Sequence, residues 1–292
     1  MKIVVFGAGA VGGWFGGSLV EAGQDVTFVA RGESLRVLKE PGLILNDAPP
    51  RPVHAVGTLA EAGPADVVLL AVKATRAAQL PELLAGLPEE AVVAVTQNSV
   101  EVPGQLADLL GPERVWPGVV RGFFHHLGPG QVSFRGGPIS YTFGTWDGAG
   151  DPRAERFAAA LQDAGVEAVL REDIFADVWE KAMFVTCFGA LGSAADQPLG
   201  QLRTTLRGSL VALMEEVAAV ARATGVPLDS EEVARTMDFA DRMPAEATSS
   251  MQRDLAAGRG HELDAQVGAV VRLGRRHGVD TRLHDLLYGL LR

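Results

Sequence analysis

The apolar and polar positions of this chain follow two different patterns. In the first, short β-branched runs alternate with helical stretches. KIVVFGAG reads as a strand, VGGWFGGSLVEAG as a helix ending at a glycine cap, and QDVTFVAR as a second strand. HAVGTLAEAGPADVVLLAVK predicts a weak strand, a short helix and a strong strand. RAAQLPELLAGLP predicts a helix and AVVAVTQNS a strand. Alternation of this kind implies a parallel sheet with crossover helices. The run VWPGVVRGFFHHLGPGQVSFRGGPISYTFG is β-rich and broken by Gly-Pro-Gly and Gly-Gly-Pro, so it predicts strands and hairpin turns that close the sheet on one side. DPRAERFAAALQDAG then predicts a helix and VEAVLRED a last strand.

From about Ile174 the pattern changes to long helical periods with little β signal, over 174–195, about 198–225, about 229–257 and 261–278. The expected organisation is two domains, 1–170 and 171–292, with the boundary falling near 168–174. No internal repeat or low-complexity linker interrupts them.

One hexapeptide gives the first half a chemistry. GAGAVG, comprising Gly7, Ala8, Gly9, Ala10, Val11 and Gly12, matches G-x-G-x-x-G, follows a strand and opens a helix. In that setting Gly7 allows the tight turn, Gly9 lets a pyrophosphate approach the backbone, and Gly12 lets helix and strand pack closely. The free N–H groups of the helix start then face the phosphates. The fold class expected is therefore α/β: an N-terminal Rossmann-type dinucleotide-binding domain followed by an all-helical C-terminal domain.

The end of the second strand discriminates between cofactors. An acidic residue there binds a ribose 2′-hydroxyl. This strand ends in VARG, and Arg31 suits a 2′-phosphate. NADP(H) is the expected cofactor; the competing reading of Arg31 is a solvated strand-end residue. In open α/β sheets ligands gather outside the carboxyl ends of the strands. Lys73 ends ADVVLLAVK and Asn98 ends AVVAVTQN, so both are expected to face the cofactor crevice. Taken singly, one is a solvated terminus and the other a turn-former.

Composition narrows the field further. The chain has 292 residues, 47% hydrophobic and 21% charged, enough for one large or two medium cores. Its formal net charge of −10 shows no basic face for nucleic acid. The single cysteine, Cys187, excludes an intramolecular disulfide framework. No signal peptide is read before the first strand, and no apolar run is long enough to span a bilayer, so a cytoplasmic protein is expected. His125-His126 lacks a suitably spaced acidic or cysteine partner, and His261-Glu262 lacks a second histidine, so no metal is expected. Trp14 and Phe15 are read as core or cleft lining, and Cys187 as inert packing.

In WEKAMFVTCF, Lys181 heads a run that carries no further charge until Asp196. By itself it reads as a rim residue with its ammonium in water, or as a lysine aimed inward to do chemistry.

GAGAVGG with VARG, AVK and TQN at strand ends, PGQVSF in a hairpin, WEK opening the helical half, and SSMQRDL and GHELD near the end together resemble the ketopantoate reductase (2-dehydropantoate 2-reductase) family. The likeness runs over nearly the whole chain in order. It implies a 6-phosphogluconate-dehydrogenase-like helical domain and NADPH-dependent reduction of a 2-oxo acid to a 2-hydroxy acid. By resemblance, Lys181 is the general acid, and Glu262 contacts substrate hydroxyls and orients the site. Ser250, the second serine of SSM, binds the substrate carboxylate. Lys73 and Asn98 lie near nicotinamide and substrate. Without the resemblance, Ser249 and Ser250 are ordinary exposed helix residues, and Glu262 is a favourable charge in a first helical turn.

The chain departs from the family pattern where asparagines are expected. Val185, Gly189, Leu199 and Ala247 stand at those positions, and Ser99 replaces a glycine after Asn98. A one-residue slip brings Thr186 in place of Val185. A pocket built by Val185, Gly189 and Leu199 suits a more hydrophobic 2-oxo acid. A non-catalytic NADP(H)-binding sensor is the alternative from another class. A homodimer is considered, through any surplus of apolar surface on the C-terminal helices.

Overall fold

The structure, a computed structural model, describes residues 1–75 and 80–292. The chain divides into two compact units. The first holds the strands and their helices and ends at Ile174. The second runs from Phe175 to Arg292 and includes the short stretches beginning at Lys73 and at Asn98.

The strands of the first unit are β1 (Lys2–Phe6), β2 (Asp25–Val29), β3 (Ile44–Leu45), β4 (His54–Val56), β5 (Val67–Leu70), β6 (Val92–Val95), β7 (Val115–Trp116), β8 (Gly118–Arg121), β9 (Phe124–Gly128), β10 (Gln131–Phe134), β11 (Ser140–Phe143) and β12 (Glu167–Leu170). Six of them form a parallel sheet in the order β4-β2-β1-β5-β6-β7. Strand order reverses beside β1, the place where such sheets bind dinucleotides. β5 and β6 are buried along their whole length, as continuous Val/Leu/Ala runs in a sheet covered on both faces should be. The helices of this unit are α1 (Ala10–Glu21), α2 (Gly32–Lys39), α3 (Leu59–Ala62), α4 (Leu80–Leu83), α5 (Val102–Leu110) and α6 (Pro152–Asp163). The N-terminal part of the helix expected in RAAQLPELLAGLP lies outside the described residues.

The β-rich run after residue 115 does not extend the large sheet as the sequence suggested. Only β7 joins it. The rest forms two three-stranded sheets, β3-β10-β9 and β12-β11-β8. Pro117 separates β7 from β8: it has no N–H to give to a ladder. The Gly130 turn, with φ +66°, makes the expected antiparallel hairpin of β9 and β10. Phe15 is fully buried and packs edge-on against Tyr141, while Trp14 packs on Phe124 and Phe134.

The second unit is helical: α7 (Ile174–Ala195), α8 (Leu199–Leu202), α9 (Arg207–Ala223), α10 (Glu232–Arg242), α11 (Ser250–Ala256), a single π turn at Asp264–Gly268, α12 (Ala269–His277) and α13 (Arg282–Leu291). α7 coincides with the expected 174–195. Two expected helices are each split. The 198–225 period breaks where Arg203 turns its guanidinium onto the carbonyls of Ala240, Asp241 and Met243 at the end of α10. The 229–257 period breaks at Pro244, which cannot continue a helix. α2, α5 and α13 were not read from the sequence.

A buried polar clamp fixes α13. Glu216 of α9 accepts the N–H groups of Leu283 at 2.9 Å and His284 at 3.1 Å, two donors left open at a helix start, and the Nδ1–H of His284 at 2.7 Å. His284 is fully buried, and its Nε2 lies 3.9 Å from the sulfur of Cys187, which is buried as expected. Burial pushes the Glu216 carboxyl up, but the bonds from His284 and the two amides outweigh this and hold it below its ordinary 4.5. A carboxyl lowered in the folded state stabilises fully above the unfolded value and loses that contribution as pH falls through the folded one. Glu216→Gln should therefore cost about 1–3 kcal/mol at neutral pH. The gap to the unsubstituted protein should shrink as pH falls below about 4.5, read by denaturant melts at several pH values.

Candidate active site

The glycines of GAGAVG do three different jobs. Gly7 sits at φ +107°, a conformation side chains resist, and a Cβ there would meet Val72 at 2.8 Å. A Cβ at Gly12 would lie 1.9 Å from the Gly7 carbonyl oxygen and 2.8 Å from Ala71, so helix and strand can touch only because Gly12 has no side chain. Gly9 is different: a Cβ there would meet nothing within 4 Å. Gly9 is the N-cap of α1 and offers no side-chain cap, and the first turn carries no acidic residue. The open space over Gly9 and the uncapped helix start, lined by Ala10 and Val11, together make a cradle for an anionic group. Arg31, at the end of β2, is the N-cap residue of α2; it is exposed and makes no ion pair among the described residues. No acidic residue stands at that strand end.

In the second unit, three residues singled out in the sequence, Lys73, Asn98 and Lys181, act on the carboxylate of a fourth, Glu262. Glu262 Oε1 accepts the Ala74 N–H at 3.0 Å, and Glu262 also receives a hydrogen bond from the Asn98 side chain. The charges of Lys73 and Lys181 both act on it. Burial pushes the Glu262 carboxyl up. The Ala74 amide, the two lysines and Asn98 pull the other way without cancelling it. Among the described residues, the amides of Ala74 and Asn98 and the charges of Lys73 and Lys181 favour a carboxylate even while desolvation disfavours one. Lys181, two turns into α7, is half-buried, and so is Asn98, whose amide oxygen is buried without a hydrogen-bond partner.

The two stretches that carry Lys73 and Asn98 leave the ends of β5 and β6 and belong to the second unit. Each is tied down there. Lys73 Nζ lies 2.6 Å from Asp254 Oδ2 of α11, and Arg259 holds the other oxygen at 3.1 Å. Glu101, three residues after Asn98, takes Arg272 of α12 through both oxygens, at 2.7–3.2 Å, and Arg272 also reaches Asp264 at 2.9 Å. Asp254, Glu101 and Arg272 were missed in the sequence. Their partners are 171 and 181 residues away, beyond any spacing rule.

Ser250 is exposed at the start of α11. Its neighbour Ser249 is the engaged serine: its oxygen caps the helix by accepting the Gln252 N–H at 2.9 Å, and lies 3.2 Å from where a Gly189 side chain would begin. The expected apolar pocket needs correction in two places. Leu199 is fully buried in the helical core and lines no open pocket. Gly189 opens no space either, because the methyl of Met251 lies 2.7 Å from where its Cβ would be. Val185, one turn beyond Lys181, and Ala247 are half-buried; Thr186 is buried. Among the described residues no group of three histidine, cysteine, aspartate or glutamate side chains could hold a metal, and no helix is long and apolar enough to cross a membrane.

The profile of the family "Ketopantoate reductase PanE/ApbA" matches residues 3–148, and that of its C-terminal domain matches 173–292. The chain belongs to the ketopantoate reductase family. It is 30% identical to the uncharacterized oxidoreductase YkpB of Bacillus subtilis (strain 168), over all of this chain and 98% of that one. Its structure is similar to that of a 2-dehydropantoate 2-reductase from Methylococcus capsulatus, with a TM-score of 0.90 and 26% identity, over 100% of this chain and 96% of the other. It is also similar to a D-mandelate dehydrogenase in complex with NADH and anilino(oxo)acetate, with a TM-score of 0.88 and 25% identity, over 100% and 97%. The expected fold class, a parallel-sheet dinucleotide-binding domain followed by a helical one, stands in this family. The family is one of oxidoreductases, and a nicotinamide dinucleotide is the cofactor class these similarities indicate.

Two glycine substitutions separate folding from binding at the cradle. Gly12→Ala should destabilise by about 1–3 kcal/mol or more through overpacking. Gly9→Ala should leave the melting temperature near that of the unsubstituted protein and weaken dinucleotide binding at least tenfold. Calorimetric melts and fluorescence titration with NADPH check both.

Proposed function

We propose that this protein reduces a 2-oxo acid to a 2-hydroxy acid with NADPH, with Lys181 as general acid. The observation that carries this reading is the convergence of Lys181, Lys73, Asn98 and the Ala74 N–H on the Glu262 carboxylate. The cofactor would be held by the backbone of Gly7, Ala8, Gly9, Ala10, Val11 and Gly12, with Arg31 on a 2′-phosphate. Bound there, it supplies the hydride. Reduction builds negative charge on a carbonyl oxygen. An ammonium beside that oxygen stabilises the charge and then gives up a proton, which a guanidinium does poorly and a carboxylate opposes. Glu262 attracts the ammonium electrostatically and accepts from the substrate hydroxyl. Asn98 and Lys73 complete the polar wall, and Ser250 takes the substrate carboxylate, as the family resemblance implies. A sensor that only bound the dinucleotide would need neither Lys181 nor Glu262.

Ketopantoate is the substrate the family suggests. Val185, Ala247 and the methyl of Met251 favour a second reading, a 2-oxo acid with a more hydrophobic tail, because an apolar wall offers no partner to a substrate hydroxyl. Turnover of NADPH against ketopantoate and a panel of branched and aromatic 2-oxo acids decides between them. A clear preference for ketopantoate would end the hydrophobic reading, and no turnover on any acid despite tight NADPH binding would favour the sensor.

Lys181→Ala should lower kcat about 10²–10⁴-fold on the best acid while leaving NADPH affinity unchanged. Arg31→Ala should weaken NADPH binding tenfold or more and NADH binding little, measured by titration with both. Because burial raises the Glu262 value, activity should fall on the acid side as pH drops through a value above the ordinary 4.5. That limb should vanish in Glu262→Gln, leaving a low, flat profile.

A further inference from the structure

We infer that Gln266 is a positioning residue for Glu262. It lies in the π turn Asp264–Gly268, which begins two residues after Glu262. Such turns add one residue to a helical turn and recur where a helix must aim side chains at a functional site. The Gln266 N–H donates to the Glu262 carbonyl at 2.9 Å, closing a helical turn over the glutamate. The Gln266 side chain then reaches back, its Nε2 donating to Glu262 Oε2 at 3.4 Å. The other oxygen, Oε1, is already held by Ala74. Ala74 thus holds one carboxylate oxygen and Gln266 reaches the other, with the Asn98 side chain as a further donor, so Gln266 helps to fix the plane of the carboxylate.

Gln266 is 4% exposed, and its own amide oxygen is buried with no hydrogen-bond partner. A polar side chain left half-satisfied in a core costs stability that an apolar residue of similar size would not. Val267 and Val270, one and four residues further on, lie in the helical core. A residue that weakens the fold while holding a site carboxylate fits a positioning role better than a packing role.

This inference rests on the proposed role of Glu262, and the test separates the two. Gln266→Leu removes the donor and keeps the bulk; Gln266→Met is the second variant should the first not fold. Full-length protein labelled with ¹³C at glutamate carboxyls is titrated by NMR, with the Glu262 signal assigned by its loss in Glu262→Gln. Losing a donor to the ionised form should move the Glu262 titration up by about half to one pH unit. The melting temperature should hold or rise, and kcat should fall about tenfold. In a Glu262→Gln background, Gln266→Leu should change kcat no further. An unmoved Glu262 titration would overturn the proposal. So would a fall in melting temperature with equal activity losses in both backgrounds, the mark of a packing residue. Undiminished turnover in Glu262→Gln would instead overturn the catalytic reading of Glu262, whatever the titration does.

Discussion

One carboxylate of the helical unit, that of Glu262, is expensive to bury, and groups from distant parts of the chain gather on it. Glu262 sits where desolvation opposes its charge, and its neighbours are arranged to support that charge: a backbone amide, a side-chain amide and two lysines. In such surroundings charges interact over longer distances than they would in water. The Coulomb attraction that favours a charged Glu262 acts equally on Lys181. Neither group can be understood without the other.

Meeting that constraint takes residues from far apart in the chain. The helical unit is not only the C-terminal part of the sequence; it takes in the short stretches that follow β5 and β6. Those stretches bring Ala74 and Asn98 to Glu262, and charged pairs fasten them there, Lys73 to Asp254 and Glu101 to Arg272. Asp254 and Glu101 are both largely buried, so each pair is shielded on its acidic side from the solvent that weakens surface ion pairs. A strand end usually presents its polar residue to whatever ligand the sheet holds. Here Lys73 also answers to a helix 181 residues away.

The glycine turn at Gly7–Gly12 is built by the opposite means, through the absence of side chains. Gly7 and Gly12 are needed because the backbone and neighbouring side chains already occupy the space a side chain would take, whereas a side chain at Gly9 would meet only open space. Sequence motif and structure agree closely here because the requirement is local: a turn, a helix start and one contact to the neighbouring strand.

Much of this was legible in the chain itself. The parallel sheet, the dinucleotide turn, α7 over 174–195 and the change to a helical grammar all follow from periodicity and glycine placement, which act over a few residues. Lys181, Glu262, Lys73 and Asn98 could be picked out by motif and by family resemblance. Tertiary structure alone decided the rest. It separated the later strands into two small sheets at Pro117, withdrew Leu199 into the core, filled the space at Gly189 with Met251, and put Ser249 rather than Ser250 into the helix cap. It also supplied Asp254 and Arg272 as anchors. The reason is that periodicity records which face of an element is buried, but not what is packed against that face. Ion pairs and filled cavities depend on segments that meet only once the chain has folded.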